Sequence, residues 1–99
     1  MNLISKSFLL TLAEEVNIGE LEMTLVAQVM GDKNGFDIEH LETMNVTYMG
    51  VPIEGYQNWK KFRDFHKEMG IDFDKAIDSE FEKIFDKPNV QQFVDKVKF

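Results

Sequence analysis

The sequence predicts a single α+β domain in which an antiparallel β-meander of about three strands precedes three short helices. Two periodicities predict this class, because apolar residues alternate with polar ones in the first half of the chain and recur with a helical period after Gly55. No repeat, low-complexity segment or linker divides the 99 residues, and 43% of them are apolar, as in globular chains. Residues 1–99 are therefore expected to form one domain.

Residues 4–16 fit two structures. As a helix they bring three apolar residues to one side, with Ser5 or Ser7 as the N-cap: Phe8, Leu12 and Val16. As a strand they form a hairpin with the next strand through Asn17-Ile18-Gly19. Leu, Ala and Glu favour the helix, whereas Glu14 and Glu15 near its C-terminal end oppose its dipole. The composition favours the helix slightly, and the strand stays open as the alternative.

Residues 20–54 carry the pattern of the predicted meander. The odd positions of the first strand are all apolar: Leu21, Met23, Leu25, Ala27 and Val29. The segment from Gly31 to Gly35 predicts a reversal, because Asn-Gly and the flanking glycines adopt positive φ at little cost.

The return strand shows the same alternation. Its apolar face is predicted to hold Phe36, Ile38 and His40, and then Met44, Val46 and Tyr48. Met49-Gly50 predicts a second tight turn into Val51-Pro52-Ile53, and Pro52 restricts this last segment to a sheet edge.

Three amphipathic patterns follow Gly55. The first helix has an aromatic-rich face, made by Trp59, Phe62, Phe65, His66 and Met69, and Gly70 follows it as the C′ residue. Asp72 is the expected N-cap of the second helix, whose apolar face holds Phe73, Ile77, Phe81, Ile84 and Phe85. Pro88 suits the first turn of a third helix that carries Val90, Phe93, Val94 and Val97.

The formal charge of −7 lies entirely in residues 1–55. That segment holds nine acids and two bases, which gives 2 − 9 = −7, whereas residues 56–99 hold nine of each. Such charge either keeps a small domain in solution or forms a directed negative face that recognises a basic partner.

Several chemistries lack the residues that they need. The chain has no cysteine, which excludes disulfides, cysteine-based zinc sites and thiol nucleophiles. No glycine-rich phosphate loop or serine nucleophile motif occurs, and His66 is expected to be a core-edge histidine with a hydrogen-bond partner. We therefore expect no catalytic residue, no cofactor and no metal ligand set, and we expect the protein not to be an enzyme.

The sequence also argues against nucleic acid and membranes as direct partners of this chain. Nucleic-acid-binding domains are usually strongly basic, whereas this chain is acidic. No segment approaches the roughly 18 apolar residues of a membrane span, and the first residues lack the layout of a signal peptide. We expect a cytoplasmic protein that contacts neither membrane nor nucleic acid directly.

The acidic residues are the candidate site. On the two strands of the hairpin, the polar face holds Glu20, Glu22, Asp37 and Glu39, with Val26 and Leu41 as apolar interruptions. Glu42 is a further candidate of the return strand, where alternation places it on the face of Ile38 and His40. A second acidic set lies on the second helix: Asp74, Asp78 and Glu82. We expect a small acidic protein-interaction module, an inhibitor or regulator of the nucleic-acid-mimic type, that binds a basic protein partner.

Two alternatives remain open. A homo-oligomer would use exposed apolar residues as its contact: Val26, Met30, Leu41 and Met49. A small enzyme would depend on His40 or His66. In its small size, its acidity and its lack of cysteine and of catalytic motifs, the chain resembles the accessory proteins of phages and mobile elements. This general resemblance implies an inhibitor of a host enzyme.

Overall fold

The computed structural model describes residues 6–98 and confirms the predicted α+β class. The strands, which lie in one antiparallel sheet in chain order, are β1 (Ser7–Ile18), β2 (Leu21–Asp32), β3 (Gly35–Tyr48) and β4 (Val51–Pro52). The helices are α1 (Tyr56–Glu68), α2 (Phe73–Ile84) and α3 (Lys87–Val94). Gly55 thus separates the sheet from the helices, so the acidic excess of residues 1–55 belongs to the part of the chain that forms the sheet.

The N-terminal helix that the composition slightly favours is wrong, because β1 occupies this segment. It pairs with β2 without interruption, from Ser7 opposite Asp32 to Ile18 opposite Leu21. Helix propensity is a weak bias that tertiary packing overrides, and here β2 becomes a central strand flanked on both sides. Residues 4 and 5 of the predicted element, including the proposed cap Ser5, lie outside the described residues.

One apolar core lies between one face of the sheet and the helices. The predicted odd positions of β2 are all buried in it, and Leu21, Leu25, Ala27 and Val29 are completely inaccessible. The helices contribute Trp59, Ile77, Phe81, Val90 and Val94 from their predicted apolar faces. Phe65, Met69 and Phe93 of those faces remain exposed, and Val97 lies beyond the end of α3.

The ends of the helices follow the predicted signals. Gly70 has a φ of 88° after α1, a left-handed conformation that glycine adopts without strain. The Asp72 carboxylate accepts a hydrogen bond from the Lys75 backbone N–H at 3.0 Å as the N-cap of α2. Pro88 lies in the first turn of α3.

Two of the three hairpin loops need a left-handed backbone. Gly19 has a φ of 60° between β1 and β2, and Met49 and Gly50 have φ of 51° and 80° between β3 and β4. Positive φ at both positions is typical of type I′ turns, so the predicted second turn is confirmed.

The loop between β2 and β3 reverses by a different route from the one predicted. Its two residues, Lys33 and Asn34, and the flanking glycines all lack positive φ. Instead, the Asp32 carboxylate accepts a hydrogen bond from the Asn34 N–H at 2.7 Å, as in an Asx turn. Gly31 is needed for close approach, because an added Cβ would lie 2.7 Å from the Phe36 Cα and collide with the Gly35 carbonyl.

Two β-bulges interrupt β3, which has 14 residues where β2 has 12. The first places His40 and Leu41 opposite Ala27, and the second places Asn45 and Val46 opposite Met23. His40 and Asn45 have φ of 52° and 54°, and both residue types are enriched in this region.

Because of the bulges, some residues of β3 lie on the face opposite to the one that simple alternation predicts. Each bulge contains one extra residue that has no partner of its own on β2. The residues that face the helices are therefore Phe36 and Ile38 before the first bulge, and Leu41 and Thr43 after it. Met44, predicted on the apolar face, lies opposite Thr24 on the other side. The predicted placement of Leu41 on the polar face is likewise wrong, because Leu41 lines a cavity with Asp78 and Phe81 of α2.

Candidate functional site on the open face of the sheet

The sheet has one face that faces away from the core, which we call the open face. Strand register defines its members, since residues directly opposite each other share a face. Apart from the positions next to the loop between β2 and β3, they are Leu9, Thr11, Ala13, Glu15 and Asn17 on β1, then Glu22, Thr24, Val26, Gln28 and Met30 on β2, and Asp37, Glu39, Glu42, Met44 and Thr47 on β3. Ser7, Asp32 and Gly35 have the same parity, but the Asp32 carboxylate accepts a hydrogen bond from the Asn34 N–H and belongs to that loop, so we leave these three positions out of the open face. Within residues 6–98, the core cluster that holds the helices includes none of these side chains.

The open face is acidic across all three long strands. It carries five carboxylates and no lysine or arginine; the acids are Glu15, Glu22, Asp37, Glu39 and Glu42, and all are exposed. Neighbouring same-face positions on one strand, such as Asp37 and Glu39, are about 6.8 Å apart. The backbone pairing therefore holds these charges as a spaced array on a stiff frame.

One imidazole lies beside this array. The Nε2 atom of His40 is 3.7 Å from a carboxylate oxygen of Glu39, and both side chains are largely exposed. This contact is an ion pair only when the imidazole is protonated, and exposed ion pairs contribute little to folding stability. Glu39 is therefore left available to a larger positive surface.

Apolar residues interrupt the acidic array on the central strand. Val26 is only 7% exposed, because it lies between Ala13 on β1 and Glu42 on β3. Leu9 and Met30 lie opposite each other near one end of the face and are both exposed. The open face thus combines carboxylates with small apolar areas, a combination that suits contact with another protein.

The structure brings four of the eight predicted site residues together. Glu22, Asp37, Glu39 and Glu42 lie on the open face, and Glu20 lies in the loop between β1 and β2 at one end of it. Sequence reasoning missed Glu15, whose face was undetermined while β1 was ambiguous between helix and strand. The strand alternative contains the missing signal, since Glu15 has the same parity as the exposed Ala13 and Asn17.

The predicted helix acids lie on the other side of the sheet. Asp78 and Glu82 line a cavity of about 320 Å³ together with Ile38 and Phe81, which belong to the core side. The Asp74 carboxylate is 2.7 Å from the Arg63 guanidinium, so its charge is neutralised within the domain. The two predicted acidic sets do not form one surface.

The apolar residues of the oligomer alternative are also dispersed. Val26 and Met30 belong to the open face, whereas Leu41 lies on the helix side and Met49 lies in the loop between β3 and β4. These four residues therefore share no common face.

A second concave region, of about 480 Å³, lies between the edge of β3 and helices α1 and α2. Two contacts engage four of its side chains, because the Trp59 Nε1 donates a hydrogen bond to the Thr43 hydroxyl and Arg63 pairs with Asp74. The Arg63 guanidinium also lies 4.9 Å from the centre of the Trp59 ring, a distance typical of a cation–π contact. These contacts join α1, α2 and β3, which makes the region a structural junction.

The histidine of α1 is part of the core edge, as predicted. The His66 Nδ1 lies 2.8 Å from the Phe62 carbonyl oxygen, and four aromatic rings surround the imidazole: Tyr48, Phe62, Phe65 and Phe73. Among the described residues, no three His, Asp or Glu side chains cluster closely enough to hold a metal ion. No helix in residues 6–98 has the length and apolar character that crossing a bilayer requires.

Comparisons with protein-family models, with curated protein sequences and with solved structures found no match to this chain.

Proposed function

We propose that the protein is a non-enzymatic interaction module whose acidic open face binds a basic surface on another protein. The proposed partner is a protein with a positively charged groove that ordinarily holds nucleic acid, and the proposed effect is inhibition or regulation of that protein. The observation that supports this proposal is the open face itself, which has five carboxylates and no lysine or arginine and lies on the side of the sheet away from the core of residues 6–98.

The distribution of charge favours a directed interaction over uniform solvation. Residues 56–99, which form all three helices, have equal numbers of acids and bases. Because the entire excess of −7 lies in residues 1–55, the net negative charge, and the field that it produces, belongs to the part of the chain that forms the sheet. A field of this kind accelerates encounter with a basic partner and makes the association rate fall as salt is added.

The stiffness of the frame supports recognition of a nucleic-acid-binding groove. Such a groove presents Lys and Arg side chains to a regular row of phosphates. The open face presents a row of carboxylates whose backbone positions are fixed by strand pairing, so little backbone entropy is lost when a partner binds. Its exposed apolar residues Leu9 and Met30 add contact area that a phosphate backbone lacks.

The test compares two variants with the same loss of charge. In the open-face variant, Glu22, Glu39 and Glu42 change to Gln and Asp37 to Asn. In the control variant, Glu54, Glu68 and Glu82 change to Gln and Asp78 to Asn, all at exposed positions away from the open face. Each variant removes four carboxylates, so net charge cannot distinguish them, and circular dichroism verifies that both are folded.

The first measurement uses a lysine decapeptide as a defined basic probe. Titration calorimetry at low salt is expected to show the wild-type protein and the control variant binding the peptide with similar affinity. The open-face variant is expected to bind about tenfold or more weakly, because it retains one of five carboxylates on the face. Equal weakening in both variants would show that the peptide senses only total charge.

The second measurement identifies the natural partner. The immobilised wild type, open-face variant and control variant are exposed to the same cell lysate, and bound proteins are eluted with salt or with double-stranded DNA. The proposal expects a basic nucleic-acid-binding protein that DNA displaces and that only the open-face variant fails to retain. Retention of that protein by the open-face variant would overturn the proposal.

A further inference from the structure

We propose that the outer edge of β1 pairs with the same edge of a second copy of this chain, which joins two sheets into one continuous antiparallel sheet. The site is a backbone edge and not the open face, so this inference goes beyond the proposed function and does not depend on it. The inferred partner is identical to the protein itself, and the pairing is symmetric about a twofold axis.

The first argument is that β1 has no strand paired with its outer edge within residues 6–98. It is the terminal strand of the sheet order β1-β2-β3-β4. Its pairing with β2 has no register shift, so its backbone is regular. The segment Ser7–Ala13 contains no charged residue and no proline, and these are two of the usual devices that keep an edge from pairing.

The opposite edge of the sheet shows the contrast. There β3 is interrupted by two bulges and is partly covered by β4, whose Pro52 lacks a backbone donor. Bulges and proline both discourage strand addition. Of the two edges, β1 is therefore the regular template for another strand.

The second argument concerns the direction of the backbone groups. Ile18 and Leu21 flank a two-residue hairpin loop, which makes them a hydrogen-bonded pair in the ladder. Alternation then directs the N–H and C=O groups of even-numbered β1 residues towards β2 and those of odd-numbered residues outward. The outward groups that a second copy can pair with thus belong to Ser7, Leu9, Thr11 and Ala13.

The third argument is charge complementarity, which selects one register. An antiparallel pair centred on Leu10 places Leu9 opposite the second copy's Thr11, so outward backbone groups meet outward backbone groups. The same register places Lys6 opposite the second copy's Glu14, and the twofold axis repeats this contact. Lys6 is one of only two bases in residues 1–55, and opposite charges facing each other across a strand pair stabilise it.

The apolar residues agree with this register. On the helix side of the sheet, Phe8 lies opposite the second copy's Leu12, and the two copies of Leu10 face each other. A register centred on Thr11 would instead place Phe8 opposite Glu14 and leave that carboxylate beside an aromatic ring. Phe8, Leu10 and Leu12 are only partly buried within one copy, so the proposed pairing removes further apolar surface from water.

The test measures the dissociation constant of the dimer by sedimentation equilibrium. The wild type is expected to show a concentration-dependent dimer. Lys6→Glu and Glu14→Lys each turn two attractive contacts into repulsive ones, so each is expected to weaken the dimer about tenfold or more. The double variant Lys6→Glu/Glu14→Lys restores both contacts with reversed polarity and is expected to return the constant to within about threefold of the wild-type value.

Matched controls change the same residue types away from the edge. Lys33→Glu in the loop between β2 and β3 and Glu54→Lys before α1 are both exposed and are expected to change the constant by less than about threefold. A wild-type protein that remains monomeric up to about 1 mM would overturn the proposal. A dimer that the double variant fails to restore would overturn the proposed register.

Hydrogen exchange gives a second, independent measurement. The outward amides of Leu9, Thr11 and Ala13 are expected to be protected in concentrated samples and to exchange rapidly on dilution. The amides of Leu10 and Leu12, which pair with β2, are expected to be protected at both concentrations. Outward amides that exchange rapidly in a concentrated sample would contradict the pairing. The open-face variant is expected to dimerise normally, so failure here is distinguishable from failure of the proposed function.

Discussion

The indole Nε1 of Trp59 donates a hydrogen bond to the Thr43 hydroxyl at 3.1 Å and so joins α1 to β3 across 16 positions of sequence. This contact exists because the first bulge, at His40 and Leu41, brings Thr43 to the helix side of the sheet. Trp59 is 7% exposed, and a buried indole N–H needs an acceptor. The bulge therefore supplies the acceptor that the central tryptophan requires.

Replacing Thr43 with Val is expected to lower the free energy of unfolding by about 1–2 kcal/mol, because the indole N–H loses its acceptor while the β-branched shape remains. Urea denaturation measures the change. Thr24→Val on the open face is the matched control and is expected to change stability by less than about 0.5 kcal/mol. Equal effects of the two substitutions would show that the hydrogen bond contributes nothing beyond strand propensity.

Replacing Gly31 with Ala is expected to lower the free energy of unfolding by about 2–3 kcal/mol, because the new methyl group overlaps the backbone of Gly35 and Phe36. Gly35→Ala is the control in the same hairpin, since a Cβ there meets no heavy atom within 4 Å and the backbone has no positive φ. Thermal and urea denaturation of both variants measure the difference. If Gly31→Ala is as stable as Gly35→Ala, the close approach at Gly31 is incorrect.

Replacing Met49 with Asn is expected to raise the free energy of unfolding by about 0.5–1 kcal/mol. Met49 has a φ of 51° before Gly50 at 80°, and Asn-Gly is the preferred pair for a turn with both φ positive. Little packing is lost, because Met49 is 67% exposed. Met49→Val is expected to destabilise the protein, since a β-branched residue is strained in this conformation. The opposite order of stabilities in urea would contradict the turn geometry.

Replacing Lys60 with Gln is expected to raise the pKa of Asp64. The hydrogen bond from the Lys60 ammonium, at 2.7 Å, is the main cause that holds the pKa of this carboxyl below its ordinary value. A lowered folded-state pKa stabilises the fold above the pKa of the unfolded chain, and this contribution is lost as the pH falls through the folded value. NMR titration of the Asp64 carboxyl carbon in the wild type, Lys60→Gln and the control Lys61→Gln measures the shift. An unchanged midpoint in Lys60→Gln would contradict the ion pair.

Much of the fold could be predicted because its signals are local. The alternation of β2 identified a strand whose apolar face is buried, and the caps Asp72 and Gly70 marked where helices begin and end. The local pattern of residues 4–16 did not distinguish a helix from a strand, because their leucines fit both almost equally well. The pairing with β2, a contact between distant parts of the chain, decided between them.

The bulges could not be predicted from periodicity alone. Glycine is the usual sign of positive φ within a strand, but the two positions are occupied by His40 and Asn45. As a result Leu41 was assigned to the wrong face of β3. The separation of the two acidic sets could not be predicted either. Periodicity gives the face of each acid on its own helix or strand, but not how α2 and β3 are oriented towards each other. Which side of the sheet the helices cover depends on packing that periodicity does not describe.

The two bulges also determine how the chain tolerates changes in length. Because residues before, between and after them already face the correct sides, deleting His40 or Asn45 would leave a regular strand with the same faces towards the helices. Deleting Ile38 or Thr43 would instead remove a residue that packs on the helix side, and the side chains around the gap would change faces. Natural variants of this domain whose β3 is one residue longer or shorter are therefore expected to carry the insertion or deletion at one of these two positions. A change of length there leaves the residues that pack in the core unchanged.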